Sequence, residues 1–193
     1  GDRDEEFVRP VHWVVLLFGD EVIPATIMGM ETGRETRGHR FHHPQPIRLS
    51  APANYARQLA AEGKVIANFA ERREQVRAQA ETVAAQLQGT AVIKPALLDE
   101  VTSLVEWPVA LAGNFEQCFL DVPSEALIST MQDNQRYFPV VDTNGKLLPH
   151  FITMTNLESR DPAQVRAGNE RVIRPRFSDA EFFWNQDRKQ PLA

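Results

Sequence analysis

Between Asn68 and Gly89 the chain carries the signals of one long amphipathic helix, and that element limits what the rest can build. Asn68 is a good N-cap, Glu71 stands three residues on as its capping-box partner, and Gly89 is placed to end the helix. Phe69, Val76, Ala80, Val83, Ala84 and Leu87 recur at helical spacing, while Arg72, Arg73, Arg77 and Glu81 occupy the remaining face. A helix with a single apolar face must lie on another apolar surface, and β-forming runs on either side of it offer that surface.

Upstream, Val11 to Phe18 and Val22 to Met30 flank Gly19-Asp20 and read as a β-hairpin, with Pro24 sending the second strand to an edge or bulge. Glu31 to Pro46, polar and interrupted by Gly33 and Gly38, reads as a long loop, a kind of segment that tends to be functional. Ile47 to Leu49 reads as a short strand and Pro52 to Ala61 as a short helix.

Downstream, Thr90 to Ile93 reads as a strand and Pro95 to Val105 as a helix with proline in its first turn. Trp107 to Ala112 and Cys118 to Val122 read as short strands, and Pro123 to Asp133 as a helix with Leu127, Ile128 and Met131 inward. Arg136 to Val141 and Lys146 to Thr155 flank Asn144-Gly145, the dipeptide of a tight hairpin turn. Asp161-Pro162 starts a further helix, Ser178 with Glu181 looks like a second capping box, and Pro175 is expected to separate the two. Hairpins alternating with helices, without regular βαβ crossovers, predict an α+β fold with a mainly antiparallel or mixed sheet.

The 193 residues are 42% hydrophobic, which suits one α+β domain over residues 11–189, with 1–10 a linker or appended segment and 190–193 a tail. No apolar leader is visible and the apolar run from Trp13 to Phe18 is too short to span a bilayer, so the chain reads as soluble and cytoplasmic, with no membrane contact. A lone Cys118 excludes an internal disulfide and reads as a small core residue.

The formal net charge of −5 hides a segregation. From Pro95 to Gln135 there are seven acidic residues and no Lys or Arg, a stretch that repels phosphate. Arg34, Arg37, Arg40 and Arg48 stand against Glu35 between Gly33 and Arg48, and Arg160, Arg166, Arg171, Arg174 and Arg176 cluster later. Local arginine patches of this kind let an acidic protein meet a polyanion.

Phosphate-binding loops, dinucleotide fingerprints, nucleophile elbows and C-x-x-C pairs are missing from the sequence, so an ATP site within the chain is unsupported. His39, His42 and His43, with Glu31 and Glu35 nearby, are the sole cluster with ligand chemistry, but the spacing fixes no three donors on one point and no metal is expected. Three polar segments stand apart from the packing elements: Thr36-Arg37-Gly38-His39-Arg40-Phe41, Asn134-Gln135-Arg136-Tyr137-Phe138 and Gly168-Asn169-Glu170-Arg171-Val172-Ile173-Arg174. Each combines Arg with Asn, Gln or His, the inventory that holds phosphates and reads exposed bases. Equally, such residues form buried networks, for which Glu100, Glu106 and Glu170 are available partners.

At these segments the sequence resembles the β subunit of the bacterial tetrameric glycyl-tRNA synthetase. Four further stretches extend the likeness: Asn68-Phe69-Ala70-Glu71-Arg72-Arg73, Leu98 to Pro108, Gly145-Lys146-Leu147-Leu148-Pro149 and Ser178-Asp179-Ala180-Glu181-Phe182-Phe183. The seven blocks run in order from Thr36 to Phe183; Pro175, Phe177 and the pair His42-His43 depart from the pattern. The resemblance implies a chain similar to the N-terminal portion of a longer β subunit that helps to attach glycine to tRNA. It implies an α subunit as partner in an α2β2 assembly, with ATP and Mg expected at that α subunit and no cofactor in this chain. It also implies a fold like the editing-type domain of the phenylalanyl-tRNA synthetase β subunit.

On this reading the chain contributes tRNA binding or subunit assembly and holds no catalytic residue. Arg37, His39 and Arg40 form one group of candidate tRNA contacts, and Asn134, Arg136, Asn169, Arg171 and Arg174 a second, with Tyr137 as a stacking surface. The alternatives are a hydrolytic editing domain acting on mischarged tRNA around His39 or Asn134, and a purely structural interface domain.

Overall fold

The computed structural model describes residues 10–189, so all but Pro10 of the expected N-terminal linker and the whole of the 190–193 tail lie outside the described residues. The chain gathers into two compact units, Gly1–Asn68 and Phe69–Ala193.

In the first unit, short strands follow one another closely: β1 (Val14–Val15), β2 (Leu17–Phe18), β3 (Glu21–Val22), β4 (Thr26–Ile27), β5 (Met30–Gly33), β6 (Glu35–Arg37) and β7 (Pro46–Arg48). β2 and β3 form the expected hairpin, closed by Gly19 at φ 58°. Pro24 ends that ladder, and the chain then makes a second hairpin, β4–β5, turning through Met28 and Gly29 at φ 50° and 71°. β5 also pairs in parallel with β1.

The expected long loop over Glu31–Pro46 is therefore strand in its first half, through β5 and β6, and remains a connection from Gly38 to Gln45, across which β6 and β7 pair antiparallel. Its polar sequence hid this: Thr32 and Thr36 supply β-branched side chains, but no apolar alternation marks the strands. A 3-10 turn at Pro52–Asn54 leads into α1 (Tyr55–Ala61), and Ile47, Leu49, Leu59 and Ile66 form the buried apolar set.

The second unit is a four-stranded antiparallel sheet with helices on both faces. α2 (Phe69–Gln86), β8 (Thr90–Ala91), α3 (Pro95–Leu104), β9 (Val109–Asn114), α4 (Ser124–Ser129), β10 (Phe138–Val141), β11 (Leu147–Thr155) and α5 (Pro162–Asp187) follow in order. The strand order is β8-β10-β11-β9. The expectation of an α+β fold with an antiparallel or mixed sheet holds.

Period-two alternation decides which residue faces which layer. Ile152 joins Phe138 and Val140 in a core with Val76, Ala80 and Ala84 of α2 and Leu98 and Val101 of α3. Its neighbour Phe151 points the other way, into a core with Tyr137, Phe115, Leu127, Met131, Ile173 and Phe177. Across from Phe151 in the register stands Gly113, and a Cβ there would lie 2.2 Å from the Phe151 ring. The missing side chain is what lets the ring lie against β9.

Three local expectations are corrected. α2 closes in a Schellman motif in which Gln88, at φ 58°, carries the left-handed position, and the Gly89 amide donates to the Ala84 carbonyl. Cys118 is exposed, and its apolar run is a 3-10 turn, Gln117–Asp121, rather than a strand. Pro175 lies inside one continuous helix: it loses a backbone hydrogen bond, but Ile173 and Phe177 on either side are fully buried on the same face, and Phe177 meets Phe115 and Phe119 edge-on. Tertiary anchoring on both sides of the proline outweighs the break. No helix among the described residues is long and apolar enough to cross a membrane.

Candidate nucleic-acid interface

The β6–β7 connection of the first unit is built from backbone contacts outward. Gly38 crosses Gly63 so closely that a Cβ on Gly38 would lie 2.6 Å from the Gly63 Cα. That approach brings the His39 amide within 2.6 Å of the Gly63 carbonyl, to which it donates. Beyond it the chain folds back on itself, the His43 amide donating to the His39 carbonyl at 2.8 Å.

His39 is 1% exposed. Its Nδ1 accepts from the amides of both Phe41 and His42 at 3.3 Å, so the imidazole shapes its own turn and presents no surface to a ligand. The same use of Nδ1 removes the lone pair a metal would need at that atom, and no three His, Cys, Asp or Glu residues among the described ones converge as a metal site.

The residues around it face outward. Arg37, Arg40 and Arg48 are exposed, and none has a carboxylate within ion-pair distance among the described residues. Arg37 reaches the Pro44 carbonyl at 3.5 Å and lines a hollow of about 380 Å³ with His12, Trp13 and Glu35. Arg40 lies 5.6 Å from the centre of the Phe41 ring. Phe41 is 70% exposed and is a residue the sequence reading did not single out, although an aromatic amid Arg and His on a polar connection was its signal.

The second group, in the second unit, is divided between packing and surface. Tyr137 is 5% exposed, its ring stacked on Phe151 with centroids 4.6 Å apart, so it has no open face for a base. Its hydroxyl donates to Asn169 Oδ1 at 2.7 Å, and Asn169 Nδ2 donates to the Val165 carbonyl, which places both residues in the fold.

Arg136, at φ 60°, turns the chain out of a π-helical turn at Thr130–Asn134 into β10; its guanidinium pairs with Glu100 at 2.5 Å and donates to the Asp133 carbonyl. Arg174 pairs with Glu116 at 2.5 Å while both remain partly exposed. Asn134 and Arg171 stay exposed, and Arg171 has no ion pair among the described residues. The acidic stretch thus supplies carboxylate partners to Arg136 and Arg174, whereas Arg37, Arg40 and Arg48 have no carboxylate partner among the described residues.

Burial pushes the Tyr137 phenol up to about 12, against a smaller opposing effect of Arg176. A pKa higher in the folded state than the unfolded value of about 10 means that the native form holds the proton longer. Its stabilisation is complete below pH ~10 and is lost as pH rises towards the folded value, a change of order 2–3 kcal/mol over that window. Urea denaturation across this alkaline range should show the decline in the parent and a flatter profile in Tyr137→Phe; parallel profiles would mean that the phenol is not enclosed.

Comparison with known families gives the arrangement its context. The model of the glycyl-tRNA synthetase beta subunit family matches residues 1–193. The glycine–tRNA ligase beta subunit of Pseudomonas syringae pv. tomato is 58% identical over 192 residues, covering all of this chain and 28% of the relative. That of Azotobacter vinelandii is 59% identical over 192 residues, again 100% of this chain and 28% of the relative. That of Pseudomonas putida is 59% identical over 188 residues, 97% and 27%. The chain spans little more than a quarter of the length of these curated relatives.

Proposed function

The chain belongs to the glycyl-tRNA synthetase β-subunit family, and from that membership we propose that it is a tRNA-holding part of a glycine–tRNA ligase. In this role its first unit presents arginines to the phosphate backbone, and an α subunit carries the glycine- and ATP-dependent chemistry. The observation that carries the reading is the contrast between the two arginine groups. Arg136 and Arg174 have carboxylate partners. Arg37 and Arg40 are exposed and lack any among the described residues, on a turn whose backbone is tied down before a ligand arrives.

A guanidinium left without a partner near a surface is free to displace counterions from phosphate, and a turn already ordered loses little entropy on binding. His39 acts here by positioning, since its side chain is enclosed. Arg171 and Asn134 are secondary contacts on the same reading, being exposed in the other unit.

Titration of the chain with a glycine tRNA transcript at several salt concentrations tests this. Arg37→Ala and Arg40→Ala are each expected to weaken binding and to reduce the slope of log affinity against log salt by about 0.7–0.9, the value of one phosphate contact. Unchanged affinity and slope in both variants would remove the loop from the interface.

A further inference from the structure

We propose that the tip of the β6–β7 connection is a clamp for one unpaired nucleotide, in which the Phe41 ring stacks on the base and Arg37 and Arg40 hold the flanking phosphates. This rests on the reading of the chain as a tRNA-binding part and names the residue that would give that site its preference for unpaired over paired RNA.

Four observations support it. Phe41 is 70% exposed, so its ring gains little from packing within the protein. The turn beneath it is nonetheless fixed, by the Gly38–Gly63 crossing, by the His39 amide on the Gly63 carbonyl and by two amides on His39 Nδ1. A large apolar side chain held outward on an ordered turn has a defined direction, which a side chain on a floppy loop lacks. The third is Arg40: its guanidinium sits 5.6 Å from the ring centre, where a cation is drawn to the negative face of an aromatic and stands ready to bridge to a phosphate beside a stacked base.

The fourth is charge. Between Gly33 and Arg48 there are four arginines against Glu35 alone, and none of the four is in an ion pair among the described residues. One exposed ring among so many cations gives an apolar partner protein little area, whereas a nucleotide offers both a π-face and an anion. Stacking on a side-chain ring requires a base that is not already stacked in a duplex, which makes loops, bulges or single-stranded ends of an RNA the fitting targets.

The test uses Phe41→Leu and Phe41→Tyr in the full chain, with a glycine tRNA transcript and a blunt RNA duplex as the two probes. Leucine keeps the apolar character but removes the π-face, and tyrosine keeps the ring. Phe41→Leu is expected to weaken transcript binding roughly tenfold with an unchanged salt slope, and Phe41→Tyr to bind like the parent. Duplex affinity should be the same for all three, and because the side chain is exposed their melting temperatures should agree.

Equal transcript affinity for Phe41→Leu and the parent would overturn the clamp while leaving transcript binding by the chain intact. Equal losses on transcript and duplex would also overturn it, since stacking on an unpaired base predicts a loss on the transcript only. Failure of the parent itself to bind transcript at low salt would instead reject the tRNA-holding role, and the clamp with it.

Discussion

Truncating Phe177 to alanine is expected to lower the unfolding free energy by about 3–5 kcal/mol, read as a large drop in the urea midpoint. The ring is fully buried and meets Phe115 and Phe119 edge-on with centroids 4.9 and 5.7 Å apart. Its loss opens a cavity and also releases the anchor that keeps α5 continuous beyond Pro175. Val172, on the same helix but half exposed, provides the contrast, and its alanine variant should change stability by less than ~0.5 kcal/mol. Similar losses at the two positions would mean that α5 is held by something other than this aromatic cluster.

Gly113→Val is the second large effect, and here two physical arguments oppose each other. Intrinsic preference favours valine in a strand, by up to ~1 kcal/mol. The geometry forbids it, because the first added carbon would sit 2.2 Å from the ring of Phe151, itself fully buried and stacked on Tyr137. Overpacking is expected to win, with a net loss of about 1–3 kcal/mol or more. In a Phe151→Ala background the same valine has room, so the penalty should shrink or reverse, a coupling that a double-mutant cycle measures directly. Additive effects would show that the two residues do not meet across β9 and β11.

Elements whose signals were local and strong could be read from the sequence. The helix expected between Asn68 and Gly89 spans Phe69–Gln86 with Val76, Ala80 and Ala84 on its buried face, and the hairpin at Asn144-Gly145 joins β10 to β11 with Gly145 at φ 78°. Phe69, whose spacing places it on that apolar face, is 43% exposed, beside Arg72.

What escaped the sequence was decided by contacts distant along the chain. β5 and β6 are polar strands held by pairing with neighbours, and Pro175 is tolerated because residues on both sides of it pack into the same core. The candidate site followed the same division. The arginine-rich segments were evident, but composition could not tell Arg136, which meets a glutamate thirty-six residues away, from Arg37, which meets none among the described residues. Nor could it tell that His39 and Tyr137 turn inward while Phe41 turns out.

The proposed tRNA-holding role depends on that separation between arginines paired with carboxylates and arginines with no such partner among the described residues. Its most direct test measures tRNA affinity and melting temperature together in Arg37→Ala/Arg40→Ala and in Arg136→Ala. The loop variant is expected to lose tRNA affinity, most strongly at low salt, while melting like the parent; Arg136→Ala is expected to melt lower, having left Glu100 unpaired, while binding tRNA almost normally. The opposite pattern, with the loop variant destabilised at full affinity and Arg136→Ala impaired in binding, would contradict it.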